Sequence, residues 1–288
     1  MKFGLEINEF NWSGGPAEMG RHLADVGRQA EDAGFHSIWV WDHFIQLRRW
    51  EEPLLEGWLM LAYLAAATER VMLGTLVTGV TYRHPAILVK QATTLDVLSG
   101  GRSYFGVGAA WNEREHGAFG VRFPPIAERF EWLEDTLRMA HEMWSGGSGT
   151  GGPFEGKRVL ATHLVNSPQS ISRPRVPILV GGGGERKTLR LVAQYADACN
   201  VFGRSPEFVR DKLAVLRAHC DRLGRPYDEI ERTILTSIDL ESDSTDATVQ
   251  RFGELGEAGA QHLIFSVRGV ADISKLEHIG SEILPQLR

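Results

Sequence analysis

Four short clusters in the sequence combine acids, an imidazole, hydroxyls and glycines in patterns suited to chemistry on a small molecule. In "WVWDHF", residues 39–44, the apolar run from Ser37 to Trp41 ends directly in Asp42 and His43. Charged groups are costly away from water unless partnered, so this pair belongs at the wet end of a strand or in a site. Histidine is the side chain best suited to exchange protons near neutral pH. The two indoles beside it offer an apolar wall for a planar ligand.

The second cluster, "LVTGVTYRHP" (76–85), places Leu76, Val77, Thr78 and Gly79 ahead of Arg83. Small and apolar groups permit close approach of a ring system, and Arg83 either faces an anion or is an ordinary surface cation. The third, "GVGAAWNERE" (106–115), holds Gly108, where a ligand can come close, then Asn112 and Glu113, which can hydrogen-bond it. The bland alternative is a glycine-rich turn capped by Asn112. In the fourth, "ILVGGGGERKTLRLVAQYADA" (178–198), Gly181, Gly182, Gly183 and Gly184 separate an apolar strand from a helix. Consecutive backbone N–H groups at the positive end of a helix form a phosphate cradle. The G-x-G-x-x-G spacing of dinucleotide folds is missing, so a phosphorylated, flavin-like coenzyme is the better inference.

Other chemistries find less support. "GGPFEGKR" (151–158) approaches a P-loop, but Arg158 replaces the hydroxyl that would hold magnesium. "HEMWS" has Ser145 where a zincin needs its second histidine, no G-x-S-x-G is present, and the scattered histidines suggest no metal site. Cys199 and Cys220 are the only cysteines, without C-x-x-C spacing. A formal net charge of -6 with no basic stripe argues against nucleic acid. The absence of a signal-like or membrane-spanning apolar run leads us to expect a cytoplasmic protein with no membrane partner.

These clusters must be held by something. Short runs rich in Val, Ile, Leu and Phe at 3–7, 37–41, 71–77, 103–107, 177–181, 198–202, 233–239 and 262–267 alternate with segments of helical period, as parallel βαβ units do. Leu23, Val26 and Ala30 mark a helix ending at Gly34, Pro85 opens another that stops at Gly100-Gly101, and Phe130, Leu133, Leu137, Ala140 and Trp144 line one face of a third. Ser205 and Ser244 are helix caps. Eight such pairs predict an α/β fold, a (β/α)8 TIM barrel spanning residues 1–288 as one domain, with insertions after strand four at 109–125 and 146–175. A doubly wound sheet is the competing architecture. In a barrel of this kind the site lies at the carboxyl ends of the strands, where all four clusters fall.

The chain resembles the luciferase-like monooxygenase superfamily, most closely its branch that uses coenzyme F420, an 8-hydroxy-5-deazaflavin. The resemblance is carried by "WVWDHF", "LGTLVTGVTYRHPAILVKQATTLDVLSGGR", "GVGAAWNEREHGAFG", "ERFEWLEDTLRMAHEMWSG" and "ILVGGGGERKTLRLVAQYADACNVFG". It implies that Asp42 contacts the deazaflavin and that His43 is the acid/base. It further implies a non-proline cis peptide at Leu76-Val77 or a neighbouring bond, Asn112 on the cofactor's side chain, and Gly181 to Gly184 on its phosphate. The activity so implied is hydride transfer between C5 of the deazaflavin and a small alcohol, carbonyl compound or activated alkene, with Glu6 and Glu113 as secondary acid/base candidates. The alternatives are an FMN-dependent monooxygenase supplied by a flavin or F420 reductase partner, and a non-catalytic flavin or deazaflavin carrier. Homodimers are implied as well. One departure bears on substrate: the sugar-phosphate dehydrogenases of the group have an extra acid ahead of the strand-four asparagine, where this chain has Ala109-Ala110-Trp111.

Overall fold

The computed structural model describes residues 1–47, 49–145 and 151–287. Eight parallel strands, β1 (Lys2–Ile7), β2 (Ser37–Val40), β3 (Met72–Thr75), β4 (Ser103–Gly108), β5 (Ile178–Gly181), β6 (Ala198–Phe202), β7 (Glu231–Ile238) and β8 (His262–Val267), pair each with the next. β1 also pairs with β8, matching Lys2 to His262 and Glu6 to Ser266, so the sheet closes into a barrel. The expected run at 71–77 is interrupted: β3 stops at Thr75, the Leu76-Val77 peptide is cis, and pairing to β4 resumes at Thr78–Gly79.

The outer layer comprises α1 (Met19–Asp32), α2 (Gly57–Ala67), α3 (Pro85–Leu98), α4 (Glu113–Ala118), α5 (Ile126–Ser145), α6 (Thr188–Tyr195), α7 (Pro206–Leu223), α8 (Thr245–Glu257) and α9 (Ser274–His278). Local rules set their ends. α1 buries Leu23, Val26 and Ala30 against the barrel and stops where Gly34 adopts φ 87°. There the Gly34 and Phe35 amides return to the carbonyls of Glu31 and Ala30 at 3.2 and 3.0 Å. Ser205 and Ser244 accept from the amides of Phe208 and Ala247, both at 3.2 Å, as N-caps do.

Two layers of core result. Most apolar side chains pack between strands and helices, whereas Trp39, Leu76, Tyr104, Leu179, Ala198 and Ile264 fill the barrel itself. Trp39 and Tyr104 meet with ring centroids 5.1 Å apart. The amino ends of the strands are closed by polar contacts: Lys2 Nζ and the Tyr104 hydroxyl donate to Glu231 at 2.9 and 2.8 Å, and Ser37 lies 2.9 Å from His262 Nε2. Conservation of shape, not chemistry, is the role of that end of a barrel.

The second insertion after β4 is pinned by buried carboxylates. Asp135 on α5 receives the amides of Lys157, Arg158 and Val159, and Asp96 on α3 receives those of Ile171 and Ser172. The first insertion folds α4, and the second contains a two-strand hairpin, Phe154–Glu155 with Leu160–Ala161. The start of the second insertion, 146–150, lies outside the described residues. Among the described residues no helix is long and apolar enough to cross a membrane.

Candidate active site

A cavity of about 600 Å³ opens at the carboxyl ends of the strands. Of the residues anticipated from sequence, Glu6, His43, Leu76, Val77, Gly79, Gly108, Gly181 and Gly182 line it. Val77 forms the floor of one wall. It wedges between β4 and β5, where an added Cβ at Gly108 or Gly181 would lie 2.9 Å from one of its methyl groups. Glycine at both positions leaves room for the Val77 side chain.

His43 stands between two indoles, with ring centroids 5.9 Å from Trp41 and 5.7 Å from Trp111. Its Nδ1 lies 2.7 Å from Oε2 of Glu115 on α4. Glu115 is fully buried and also accepts from the Phe44 amide at 2.6 Å, the Ile45 amide at 3.2 Å and the Tyr82 hydroxyl. Burial opposes its ionisation, but the donors from His43, Tyr82 and Phe44 outweigh that and hold its carboxyl below the usual range. Burial, reinforced by Glu115, pushes the Tyr82 phenol up, so it remains a donor. An ionised Glu115 accepts from a protonated His43 Nδ1, which leaves Nε2 as the acceptor nitrogen.

Glu6, near the end of β1, is 3% exposed and accepts from Trp41 Nε1 at 2.8 Å and Asn8 Nδ2 at 2.9 Å. Burial dominates these two neutral donors and pushes its carboxyl up to about 7. It is therefore an acid that changes charge near neutrality inside the cavity.

Several anticipated residues sit elsewhere. Asp42, next to inward-facing His43, turns away from the cavity into a bidentate ion pair with Arg83, at 2.5 and 2.9 Å. Arg83 also bonds Glu56, so the anions it faces are side chains of this protein. Burial works against the Arg83 charge, and the Asp42 and Glu56 carboxylates more than compensate. Thr78 is buried behind the wall, accepting from Trp58 Nε1 at 3.1 Å and donating to Thr75 at 3.0 Å. Asn112 caps α4 through the Glu115 amide at 3.2 Å, and Glu113 is exposed on the first turn of that helix. The acid that meets His43 is Glu115, two residues further along α4.

Gly183 and Gly184 continue beyond the lining toward α6. The Gly182 amide donates to the Asn200 carbonyl at 2.9 Å, whereas those of Gly183 and Gly184 have no acceptor among the described residues. Lys212 reaches this turn from α7, its Nζ 2.6 Å from Glu185. Sequence reasoning missed Tyr82, Glu115, Asn200 and Phe202. The one signal for Glu115 was its place three residues after Asn112, which reads as a helix cap and gives no hint of His43.

Comparison with known proteins places this geometry in a family. Residues 1–272 match the family described as luciferase-like monooxygenase. The F420-dependent glucose-6-phosphate dehydrogenase of Kineococcus radiotolerans is 32% identical over 232 residues, covering 78% of this chain and 66%, about two thirds, of that enzyme's length. Two solved structures share the fold. An F420-dependent secondary alcohol dehydrogenase in complex with an F420-acetone adduct has TM-score 0.84 at 16% identity, covering 100% of this chain and 99% of that one. The coenzyme F420 dependent tetrahydromethanopterin reductase from Methanopyrus kandleri has TM-score 0.82 at 19% identity, with the same coverage. Together with the closed barrel and the cavity at its carboxyl end, these matches establish that the chain belongs to the luciferase-like monooxygenase family.

Proposed function

We propose that this chain is a coenzyme F420-dependent oxidoreductase that moves a hydride between C5 of the deazaflavin and a carbon of a small alcohol, carbonyl compound or activated alkene. The observation that carries the reading is one continuous cavity whose flat wall of Leu76, Val77, Gly79 and Gly108 leads into Gly181 and Gly182. Just beyond them the unpartnered amides of Gly183 and Gly184, with Lys212 nearby, match a phosphate. The donor set thus fits a ring with a phosphorylated tail, and the Kineococcus relative is named for F420.

When bound, the coenzyme supplies the carbon that accepts or returns the hydride. The protein's share is orientation and the proton. Trp41, Trp111 and the cavity wall confine a small substrate, which converts encounter into near-attack geometry. His43, its Nδ1 held by Glu115, takes the proton of a substrate hydroxyl at Nε2 as the hydride leaves carbon, and gives it back in the reverse direction. Glu6 offers a second polar contact on the same cavity. Asp42, Arg83 and Glu56 act behind the site by fixing the loop that bears His43.

The test is reduction of F420 by a secondary alcohol such as cyclohexanol. His43→Ala is expected to bind the coenzyme and lose most turnover, about 10²-fold or more. Equal turnover in variant and parent removes His43 from the mechanism. Binding of FMN together with oxygen uptake in place of F420 reduction would support the monooxygenase alternative instead. A homodimer also accords with the exposed apolar side chains Leu59 and Tyr63 on α2 and Ile87 on α3; sedimentation gives its mass directly.

A further inference from the structure

The cavity wall also constrains the substrate. The cavity is further lined by Trp41, Leu47, Trp111, Ile126, Phe202 and Leu235. The ionisable lining groups are Glu6, His43 and the Tyr82 phenol, and no Lys or Arg lines the cavity among the described residues. Lys187 Nζ lies 5.1 Å over the Phe130 ring, beside the glycine turn, and three further nearby cations are engaged elsewhere. Arg83 clamps Asp42 and Glu56, Arg129 donates to the carbonyls of Ala109 and Ala110, and Arg114 lies 3.7 Å over the Trp50 ring.

A buried phosphate or carboxylate requires cationic or amide donors. The unpartnered amides of this site are at the glycine turn, where the coenzyme's phosphate is placed by the reading above. Glu6, moreover, has only the uncharged Trp41 and Asn8 as hydrogen-bond partners. No counter-charge neutralises it, so once it is ionised, above about pH 7, a second anion beside it is repelled.

We propose that the substrate end of this cavity selects a neutral, mainly apolar alcohol or ketone and rejects phosphorylated and carboxylated compounds, with Glu6 as the specificity-determining residue. The inference rests on F420 occupying the flat wall and glycine turn. It separates this chain from the glucose 6-phosphate chemistry in its relative's name.

At about pH 8.5, where Glu6 is ionised, the protein is first titrated with F420, then the loaded protein is titrated calorimetrically with cyclohexanol, cyclohexanone, cyclohexanecarboxylate and glucose 6-phosphate. Cyclohexanol and cyclohexanone are expected to bind at least about tenfold more tightly than either anion. In Glu6→Gln, an isosteric change, the preference for cyclohexanol over cyclohexanecarboxylate should shrink by about fivefold or more. Glucose 6-phosphate bound as well as the alcohol, or neither neutral compound bound at millimolar concentration, overturns the inference. An unchanged preference in Glu6→Gln removes Glu6 from the role. Failure of the parent to bind F420 at the first step would instead overturn the coenzyme reading.

Discussion

Replacing Glu115 by Gln tests the proton-transfer geometry with almost no change of shape. Oε1 of Glu115 accepts the Phe44 and Ile45 amides, and Oε2 accepts His43 Nδ1 and the Tyr82 hydroxyl. Gln can keep its carbonyl oxygen on the two amides, which puts its NH₂ group where Oε2 stood. The Tyr82 hydroxyl can rotate to accept from that group. His43 Nδ1 must then accept as well, which moves the ring proton to Nε2, the nitrogen needed as base. General-base catalysis contributes about 10²–10⁴-fold, so alcohol oxidation should fall about 10²–10³-fold, equivalent to about 3–4 kcal/mol of barrier. The four bonds lose the carboxylate's charge, about 1.5–3 kcal/mol of stability in all, lowering Tm by roughly 2–5 °C. Glu115 does not line the cavity, so the F420 Kd should stay within about threefold, well inside one decade of affinity. Rapid mixing of loaded protein with cyclohexanol reads the hydride step, and fluorescence titration reads the Kd. A folded variant that binds F420 and oxidises alcohol as fast as the parent refutes the His43–Glu115 couple.

Three other perturbations probe the wall and the charges. Gly181→Ala brings a Cβ within 2.9 Å of Val77; overpacking of about 1–3 kcal/mol should distort the wall and weaken F420 by about tenfold, and unchanged affinity would dissociate this wall from the coenzyme. The raised pKa of Glu6, about 7 against an ordinary 4.5, means the folded state binds the extra proton between those values, so stability falls as pH rises from about 4.5 to 7. Glu6→Gln should therefore stabilise the protein by about 3 kcal/mol at pH 8 and by nothing below the ordinary carboxylate range; a Tm difference independent of pH would contradict this. Arg83→Met strips the cation from Asp42, whose side chain has no exposure, and should cost about 3–5 kcal/mol in denaturant unfolding, whereas a loss below about 1 kcal/mol would show that the pair is not buried in effect.

The parts of this molecule readable from sequence are those governed by neighbours along the chain. Gly34, Pro85, Ser205 and Ser244 act within one helical turn, and the structure places each where that local rule requires. The barrel then carries any residue just past a strand to the mouth, which is why His43, Val77, Gly108 and Gly181 could be anticipated together. What sequence could not decide is which way a polar side chain turns. Asp42 and His43 are adjacent, yet one faces Arg83 and the other the cavity. Glu113 and Glu115 stand about 200° apart around α4, so only one can meet His43, and no local signal says which. Contacts across long stretches of chain were equally silent: Asp96 with Ser172, and Asp135 with the turn at 157–159. The apolar run at 71–77 reads as one strand because pattern reports burial, while the ladder breaks after Thr75.

In the proposed complex the deazaflavin lies along Val77 with its phosphate on the glycine turn. Equilibrium fluorescence titration of the purified protein with F420, repeated in the presence of excess FMN, measures this directly. We predict saturable binding of one F420 per chain that FMN displaces only weakly, and that Gly183→Asp, which sets a carboxylate at the turn, abolishes. Absence of saturation, or equal F420 affinity in Gly183→Asp, would contradict it.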